Sequence, residues 1–239
     1  MNKKKHVLIL GGSSDIGMEV VKDFLNLKWD VTAHFNKNSI KLKMLKKKSK
    51  NLKLIKFDFA SFNSSTEKSI LKKFNNKYDT IVNLVGYMDN KSFEETNLNS
   101  VLKSLIANAI IPILIEKTAV KKMLNQRFGR ILNCTSIGIK FGGGTYTYNY
   151  AFAKHSLEFI PSSYKNWAKK NVLINNLRIG VTNTKLHKRI KGKDLNKRIK
   201  LIPMNRLAEP KEISSYITDL TTGKNTYITG QTVSISGGE

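Results

Sequence analysis

The chain alternates short apolar runs with longer segments of helical periodicity, and this alternation limits its possible folds more than any other feature. Strand-like runs occupy 6–10, 30–35, 52–57, 80–85, 129–135, 172–178 and 232–235. Between them, helical patterns cover 15–28, 39–48, 65–76, 97–125, 149–170 and 210–221. Several runs are apolar throughout, as strands buried on both faces are. Strands separated by helices read as successive β-α-β units with right-handed crossovers. The expected class is therefore α/β, with a mainly parallel seven-stranded sheet and helices on both faces. A length of 239 residues suffices for such a domain, and no repeat or linker divides it, so 1–239 reads as one domain. The polar, weakly patterned stretch 184–203 is the expected mobile segment over a binding site.

The formal charge of +25 raises the question of a nucleic-acid partner. Lysines number 36 and arginines 6, a bias spread along the whole chain. Arginine, the residue suited to bidentate phosphate and base contacts, is the scarce one. The densest block, 37–56, also carries Ile40, Leu42, Met44 and Leu45, as a surface helix would. Solvated lysine-rich faces are the expectation, not a nucleic-acid surface. No uninterrupted apolar run approaches 18 residues, so no membrane span is expected. The N-terminal MNKKKHVLIL has too short an apolar part for a signal peptide and reads as a buried first strand of a cytoplasmic protein. The single Cys134 fits a reducing compartment and a small core residue. No metal site is expected.

Three places carry chemistry. After the first strand come Gly11, Gly12, Ser13, Ser14, Asp15, Ile16 and Gly17, then a helical run. Glycines that admit a close backbone approach, followed by a helix N-terminus, make a pyrophosphate site; the plainer reading is a capped strand-to-helix turn. The second strand ends in Asn36 and Lys37, followed by Asn38, with no carboxylate to receive ribose hydroxyls. Lys37 suits a 2′-phosphate, which favours NADP(H) over NAD(H). Asp58, beside Phe59 after the third strand, can accept from an adenine amine or cap a turn. Lastly, Tyr150 and Lys154 stand one helical turn apart, with Ser136 ahead of them just past a strand. A phenol of pKa about 10 is a poor acid or base at neutral pH, and a nearby cation lowers it. In so lysine-rich a chain the pair proves little by itself, as the similar pair of Tyr87 and Lys91 shows.

Together these motifs resemble the short-chain dehydrogenase/reductase family over nearly the whole chain. Gly11 to Gly17 look like its cofactor loop, and Asp58 like its adenine-contacting acid. Asn83 to Gly86 resemble its strand-four motif, and Asn108, Ser136, Tyr150 and Lys154 its catalytic residues. Gly180, Val181 and Thr184 resemble the segment that holds the nicotinamide amide. The chain departs from the pattern at Leu10, Asp15, Leu84, Val85 and Ile179, and its serine-to-tyrosine spacing of 14 is one longer. The resemblance implies a Rossmann-type doubly wound fold and hydride transfer between NADP(H) and a carbonyl or alcohol carbon. Tyr150 would be the general acid in reduction, and Lys154 would lower its pKa and bond the nicotinamide ribose. Ser136 would donate to the substrate oxygen, and Asn108 would hold a water linking Lys154 to solvent. Within the family the chain is most like 3-oxoacyl-(acyl-carrier-protein) reductases, with Arg127, Arg130 and Lys170 near where those present basic residues. A small-molecule or acyl-carrier-bound carbonyl substrate is thus expected, a sugar or nucleotide-sugar ketone being the alternative. A reading from another class is a non-catalytic dinucleotide-binding regulator. The resemblance also implies a homodimer or homotetramer formed through helices 97–125 and 149–170.

Overall fold

The computed structural model describes residues 4–37, 39–61 and 67–239. Asn38, the first two residues of the expected helix 65–76 and the first three of the chain lie outside the described residues. The strands are β1 (His6–Leu10), β2 (Asp30–Phe35), β3 (Leu52–Lys56), β4 (Thr80–Asn83), β5 (Gly129–Ser136), β6 (Val172–Ile179) and β7 (Thr232–Ile235). All pair in parallel in one sheet of order β3-β2-β1-β4-β5-β6-β7. Parallel strands need crossovers, which the helices supply. They are α1 (Asp15–Asn26), α2 (Ile40–Lys48), α3 (Glu67–Phe74), α4 (Leu98–Leu105), α5 (Ile111–Gln126), α6 (Tyr148–Leu157), α7 (Tyr164–Ala168), α8 (Lys185–Lys188), α9 (Leu195–Ile199) and α10 (Pro210–Thr221).

The sheet is covered on both faces, and β1 shows why its buried residues, Val7 to Leu10, are all apolar. Val7 and Ile9 enter one core with Phe24, Leu177 and Ile213, while Leu8 and Leu10 enter the other with Ile81, Ile115 and Met123. Successive side chains of a strand point to opposite faces, so a strand between two helical layers has no polar side. Ends are set by local chemistry. Asn97 and Ser100 form a reciprocal capping box at the start of α4, and Pro210 opens α10. On α2, Leu42 is buried while Ile40, Met44 and the lysines face solvent, so only part of its expected apolar stripe is used.

Three expectations change. Helix 149–170 is two helices, α6 and α7, parted by a break that contains Pro161, whose ring cannot join a helical ladder. The segment 184–203 holds the short helices α8 and α9. Residues Leu98–Gln126 form one 29-residue helical stretch whose apolar window has a mean hydropathy of 1.7, long and apolar enough to cross a membrane. The sequence hides this because Lys103, Asn108 and Glu116 interrupt the run. Its Ile111, Ile115, Ala119 and Met123 are buried in the core under the sheet.

Glu158 locks the end of α6 to the sheet. Its carboxylate accepts from Thr135 Oγ1 (2.6 Å) and from Arg178 Nε (2.8 Å) and Nη2 (2.6 Å), while its carbonyl accepts from Asn176 Nδ2 (2.8 Å). Removing one member of a largely buried pair leaves the other uncompensated. Glu158→Ala is expected to cost about 2–4 kcal/mol, read as a lower urea midpoint at unchanged slope; an unmoved midpoint would refute the lock.

Candidate active site

The loops at the carboxyl ends of the strands surround one cavity of about 1380 Å³. It lies where such sheets place ligands, because β1 pairs with β2 on one side and β4 on the other and the crossovers diverge there. Gly11 turns with φ +79°, and a Cβ on it would stand 2.7 Å from the Leu84 carbonyl oxygen. A Cβ on Gly17 would stand 2.4 Å from the Gly11 oxygen, so the first turn of α1 is pressed onto the loop. Ser14 caps α1, its Oγ accepting from Gly17 N (3.0 Å) and donating to the Gly11 carbonyl (2.9 Å). Gly11, Ser13, Ser14, Asp15 and Ile16 line the cavity, whereas Gly17 serves by its close packing. A backbone cradle at a helix N-terminus suits an anionic diphosphate. Asp15 also reaches across the cavity, its Oδ2 accepting from the Lys185 amide at the start of α8 (2.8 Å).

Beyond β2, Asn36, Lys37 and Lys41 line the cavity, with no carboxylate between residues 33 and 41. Asp58 and Phe59 line it too; Asp58 Oδ1 accepts from Ala60 N (3.0 Å), which shapes the turn. Gly86, Gly180, Val181 and Thr184 also lie in the wall.

Two expected site residues have other work. Asn83 is fully buried; its Oδ1 accepts from Val85 N (3.2 Å) and its Nδ2 donates to Asn133 Oδ1 (3.1 Å), so it braces the loop after β4 from beneath. Asn108 sits in a π-helical turn, Ile106–Ile110, between α4 and α5. Its Oδ1 accepts from Tyr87 N (2.8 Å), and its Nδ2 donates to Tyr87 O and Ser104 O (both 3.0 Å). The side chain is therefore spent on the loop that carries Gly86 and Tyr87 and is not directed at Lys154.

Ser136, Tyr150 and Lys154 meet in the cavity wall. Ser136 ends β5, and its Oγ accepts from Gly138 N (3.1 Å), leaving its own proton free to donate. The extra residue before Tyr150 is absorbed where Gly143 N bonds back to Gly138 O (2.9 Å) and Gly144 N to Thr147 Oγ1 (2.7 Å). Lys154 is buried, its Nζ 2.6 Å from the Cys134 carbonyl and 5.9 Å from the centre of the Tyr150 ring. Burial holds the Lys154 ammonium down to about 8. Burial also pushes the Tyr150 phenol above its ordinary value, the reverse of the expected lowering, because desolvation outweighs any help from a lysine turned to the Cys134 carbonyl. Cys134 is a core residue whose thiol burial lifts to about 12.

A family model described as Enoyl-(Acyl carrier protein) reductase matches residues 11–239. The chain belongs to the short-chain dehydrogenase/reductase family. Among its relatives, the 3-oxoacyl-(acyl-carrier-protein) reductase FabG of Aquifex aeolicus (strain VF5) is 29% identical over 191 residues, 77% of each chain. That of Buchnera aphidicola subsp. Baizongia pistaciae (strain Bp) is 28% identical over 243 residues, 98% of this chain and 97% of the relative. The solved structure of ElxO with NADP bound is 25% identical with a TM-score of 0.83, covering 98% of both chains. The NADP-bound 3-oxoacyl (acyl-carrier-protein) reductase of Agrobacterium tumefaciens C58, at 19% identity and a TM-score of 0.85 over 98% of this chain and 94% of that one, shares the fold.

Two features of this short-chain dehydrogenase/reductase site were not read from its sequence. Lys41 joins Lys37 because α2 begins at once after the β2 turn, a register visible only in space. His34, a lone buried histidine in a strand, gave no signal. Its Nδ1 accepts from Gly11 N (3.2 Å), so its Nε2 must carry the proton and donate to Phe57 O (2.9 Å). The ring stacks on Phe59 at 4.2 Å, and thus ties the glycine loop to the turn after β3. Burial holds its pKa to about 4 against an ordinary 6.5. Protonation would break the Gly11 bond, so the unfolded chain takes up this proton first as pH falls. The stability His34 lends is full above 6.5 and is lost down to about 4. His34→Gln is expected to flatten the decline of urea-unfolding stability across that window, by about 2–3 kcal/mol; an unchanged pH profile would refute this.

Proposed function

We propose that the protein is an NADP(H)-dependent oxidoreductase that reduces a carbonyl to an alcohol. The observation that carries this is one shared cavity: the glycine cradle and α1 N-terminus form one wall, and Ser136, Tyr150 and Lys154 another. The cradle that Cβ atoms would fill fits a dinucleotide diphosphate, and Lys37 and Lys41, with no carboxylate between residues 33 and 41, fit a 2′-phosphate. NADP(H), when bound, supplies the hydride. Tyr150 holds its proton firmly at neutral pH and delivers it to the carbonyl oxygen. Ser136 donates its free hydroxyl proton to the same oxygen and stabilises the charge that develops there. Lys154, anchored on the Cys134 carbonyl, keeps its other N–H donors for the cavity. Asn108 acts from behind by fixing the Tyr87 backbone. The relatives' names and the apolar lining around Phe141, Leu186, Ile190, Leu201 and Pro203 support a 3-oxoacyl thioester as substrate. Arg127 and Lys170 are exposed and open to an acidic carrier. Arg130 is not: it is buried and donates to Asn225 O, Gly129 O and Asn171.

The chain works, in this reading, as one cytoplasmic domain, 1–239, with 184–203 as its substrate segment. Leu98, Leu102, Ile113 and Phe152 leave an exposed apolar face on α4, α5 and α6, which supports a homodimer or homotetramer. Light scattering should give two or four times the 27.1 kDa chain mass, and a monomer would refute it.

Tyr150→Phe should abolish NADPH oxidation with 3-oxoacyl thioesters while NADPH still binds; full turnover would sink the mechanism. Lys37→Ala combined with Lys41→Ala should weaken NADPH binding by roughly tenfold or more and leave NADH nearly unaffected. Equal losses for both cofactors would point away from a 2′-phosphate site.

A further inference from the structure

Within the 184–203 segment, cations gather where the cavity opens. Lys193 is partly buried, and its Nζ lies 2.8 Å from His187 Nδ1. Burial, with Lys193 and Arg198 beside it, holds His187 to about 4, so the imidazole is neutral and accepts from the ammonium. Of the carboxylates on this wall, Asp194 is engaged, whereas Glu239 keeps a buried Oε2 without a hydrogen-bond partner and attracts Lys193 through space. Glu239 is ion-paired with Arg198, and Asp194 caps α9, accepting from Asn196 N (2.9 Å) and Lys197 N (3.1 Å). Among the described residues, no carboxylate lies within ion-pair distance of Lys193 or Lys191. Lys191 Nζ stands over the Tyr146 ring, 4.8 Å from its centre, and a Cβ on Gly192 would be 3.7 Å from Tyr146 Cε2. The turn 191–193 therefore lies on Tyr146, four residues before Tyr150. These cations are separate in the chain from Lys37 and Lys41, which stand past β2.

We propose that the substrate reduced at this site carries a phosphate, which Lys193 and Lys191 seat at the mouth of the cavity. The proposal rests on the carbonyl-reduction reading and names a chemical class within it. A partly desolvated ammonium whose nearest partner is a neutral imidazole, beside Arg198 and with Glu239 shared with that arginine, is only partly compensated, and an arriving anion relieves it. Two ammonium groups match the charge of a phosphate dianion, and lysine binds phosphate as a point charge. The apolar wall at Leu186, Ile190 and Leu201 takes the uncharged part of the molecule. The same chemistry is presented by a small phosphorylated ketone and by the phosphopantetheine arm of a thioester.

The first test is calorimetric titration of NADPH-saturated protein with inorganic phosphate. Wild type should bind; Lys193→Met should weaken binding at least tenfold, and Lys193→Arg should restore most of it. No binding by wild type, or equal binding by Lys193→Met, overturns the proposal. The second test compares kcat/KM within two pairs: 3-oxobutanoyl-pantetheine with its 4′-phosphate, and dihydroxyacetone with its phosphate. In one pair the phosphorylated member should be favoured at least tenfold, and Lys193→Met should bring that ratio towards one. The pair that responds identifies the source of the phosphate. Ratios near one in both pairs, with turnover present, overturn the proposal and leave carbonyl reduction standing. If none of the four is turned over, the reduction reading fails instead, and the titration alone, repeated without NADPH, decides the anion site.

Discussion

A methyl group on Gly11 would stand 2.7 Å from the carbonyl oxygen of Leu84, so the loops after β1 and β4 reach contact distance only because position 11 has no side chain. That contact fixes where the cavity floor lies, and other parts of the site are braced against it. Below it, Val85 N, Asn83, Asn133 and Glu116 form a buried polar chain running from the loop through β4 and β5 into α5. Burial lifts the Glu116 carboxyl to about 8, which keeps it neutral and spares the core a bare charge. From the side, Asn108 grips both backbone groups of Tyr87, and from β2 the His34 ring holds the Gly11 amide. Buried amides and a neutral imidazole are suited to this work because each donates and accepts in a fixed direction without bringing charge.

The reacting groups sit in the opposite electrostatic regime. Lys154 is a buried cation with a carbonyl, not a carboxylate, as its partner, and Tyr150 is a phenol that burial makes harder to ionise. Both shifts move the pair towards neutrality, so at physiological pH the tyrosine carries its proton. That state is the one a reduction requires, since a proton must travel to an oxygen as hydride reaches its carbon. The barrier to giving it up is met by the oxygen's developing charge, with the Ser136 hydroxyl and the Lys154 ammonium at hand. The Tyr150–Lys154 spacing alone carries none of this; the sheet that buries both residues does.

Elements whose burial is continuous were legible in the sequence. All seven strands stand where the runs lie, within two residues at their ends; the central β1 and β4 are almost wholly buried between two helical layers, while the edge strands β3 and β7 are partly exposed. Helix 149–170 was misread because its periodicity runs past Pro161, whereas helix 97–125 was read within one residue and only its membrane-length apolar character was not, because polar residues interrupt the run. At the site, Lys37, Ser136 and Tyr150, singled out from the sequence, all line the cavity. Asn83 and Asn108 were assigned outward roles, since a sequence does not record which way a buried amide turns. Arg130, one of only six arginines, looks like a surface cation and is instead a buried bracket for the carbonyls of Asn171 and Asn225.

With 36 lysines in 239 residues, charge by itself distinguishes no position in this chain. Desolvation does. Most of the lysines are exposed, whereas Lys154 and Lys193 are each held to about 8, chiefly by burial. Both line the same cavity, one beside Tyr150 and the other beyond Tyr146; Lys154 rests on a carbonyl, and Lys193 shares Glu239 with Arg198. Keeping a buried ammonium without a counter-ion of its own costs stability at every moment the site stands empty. Surface lysines carry no such cost, so an arriving anion relieves these two in a way it cannot relieve the exposed Lys37, Lys41 or Lys191. Position in the cavity, and burial there, thus mark out the cations that face a ligand from the many that charge alone would not distinguish.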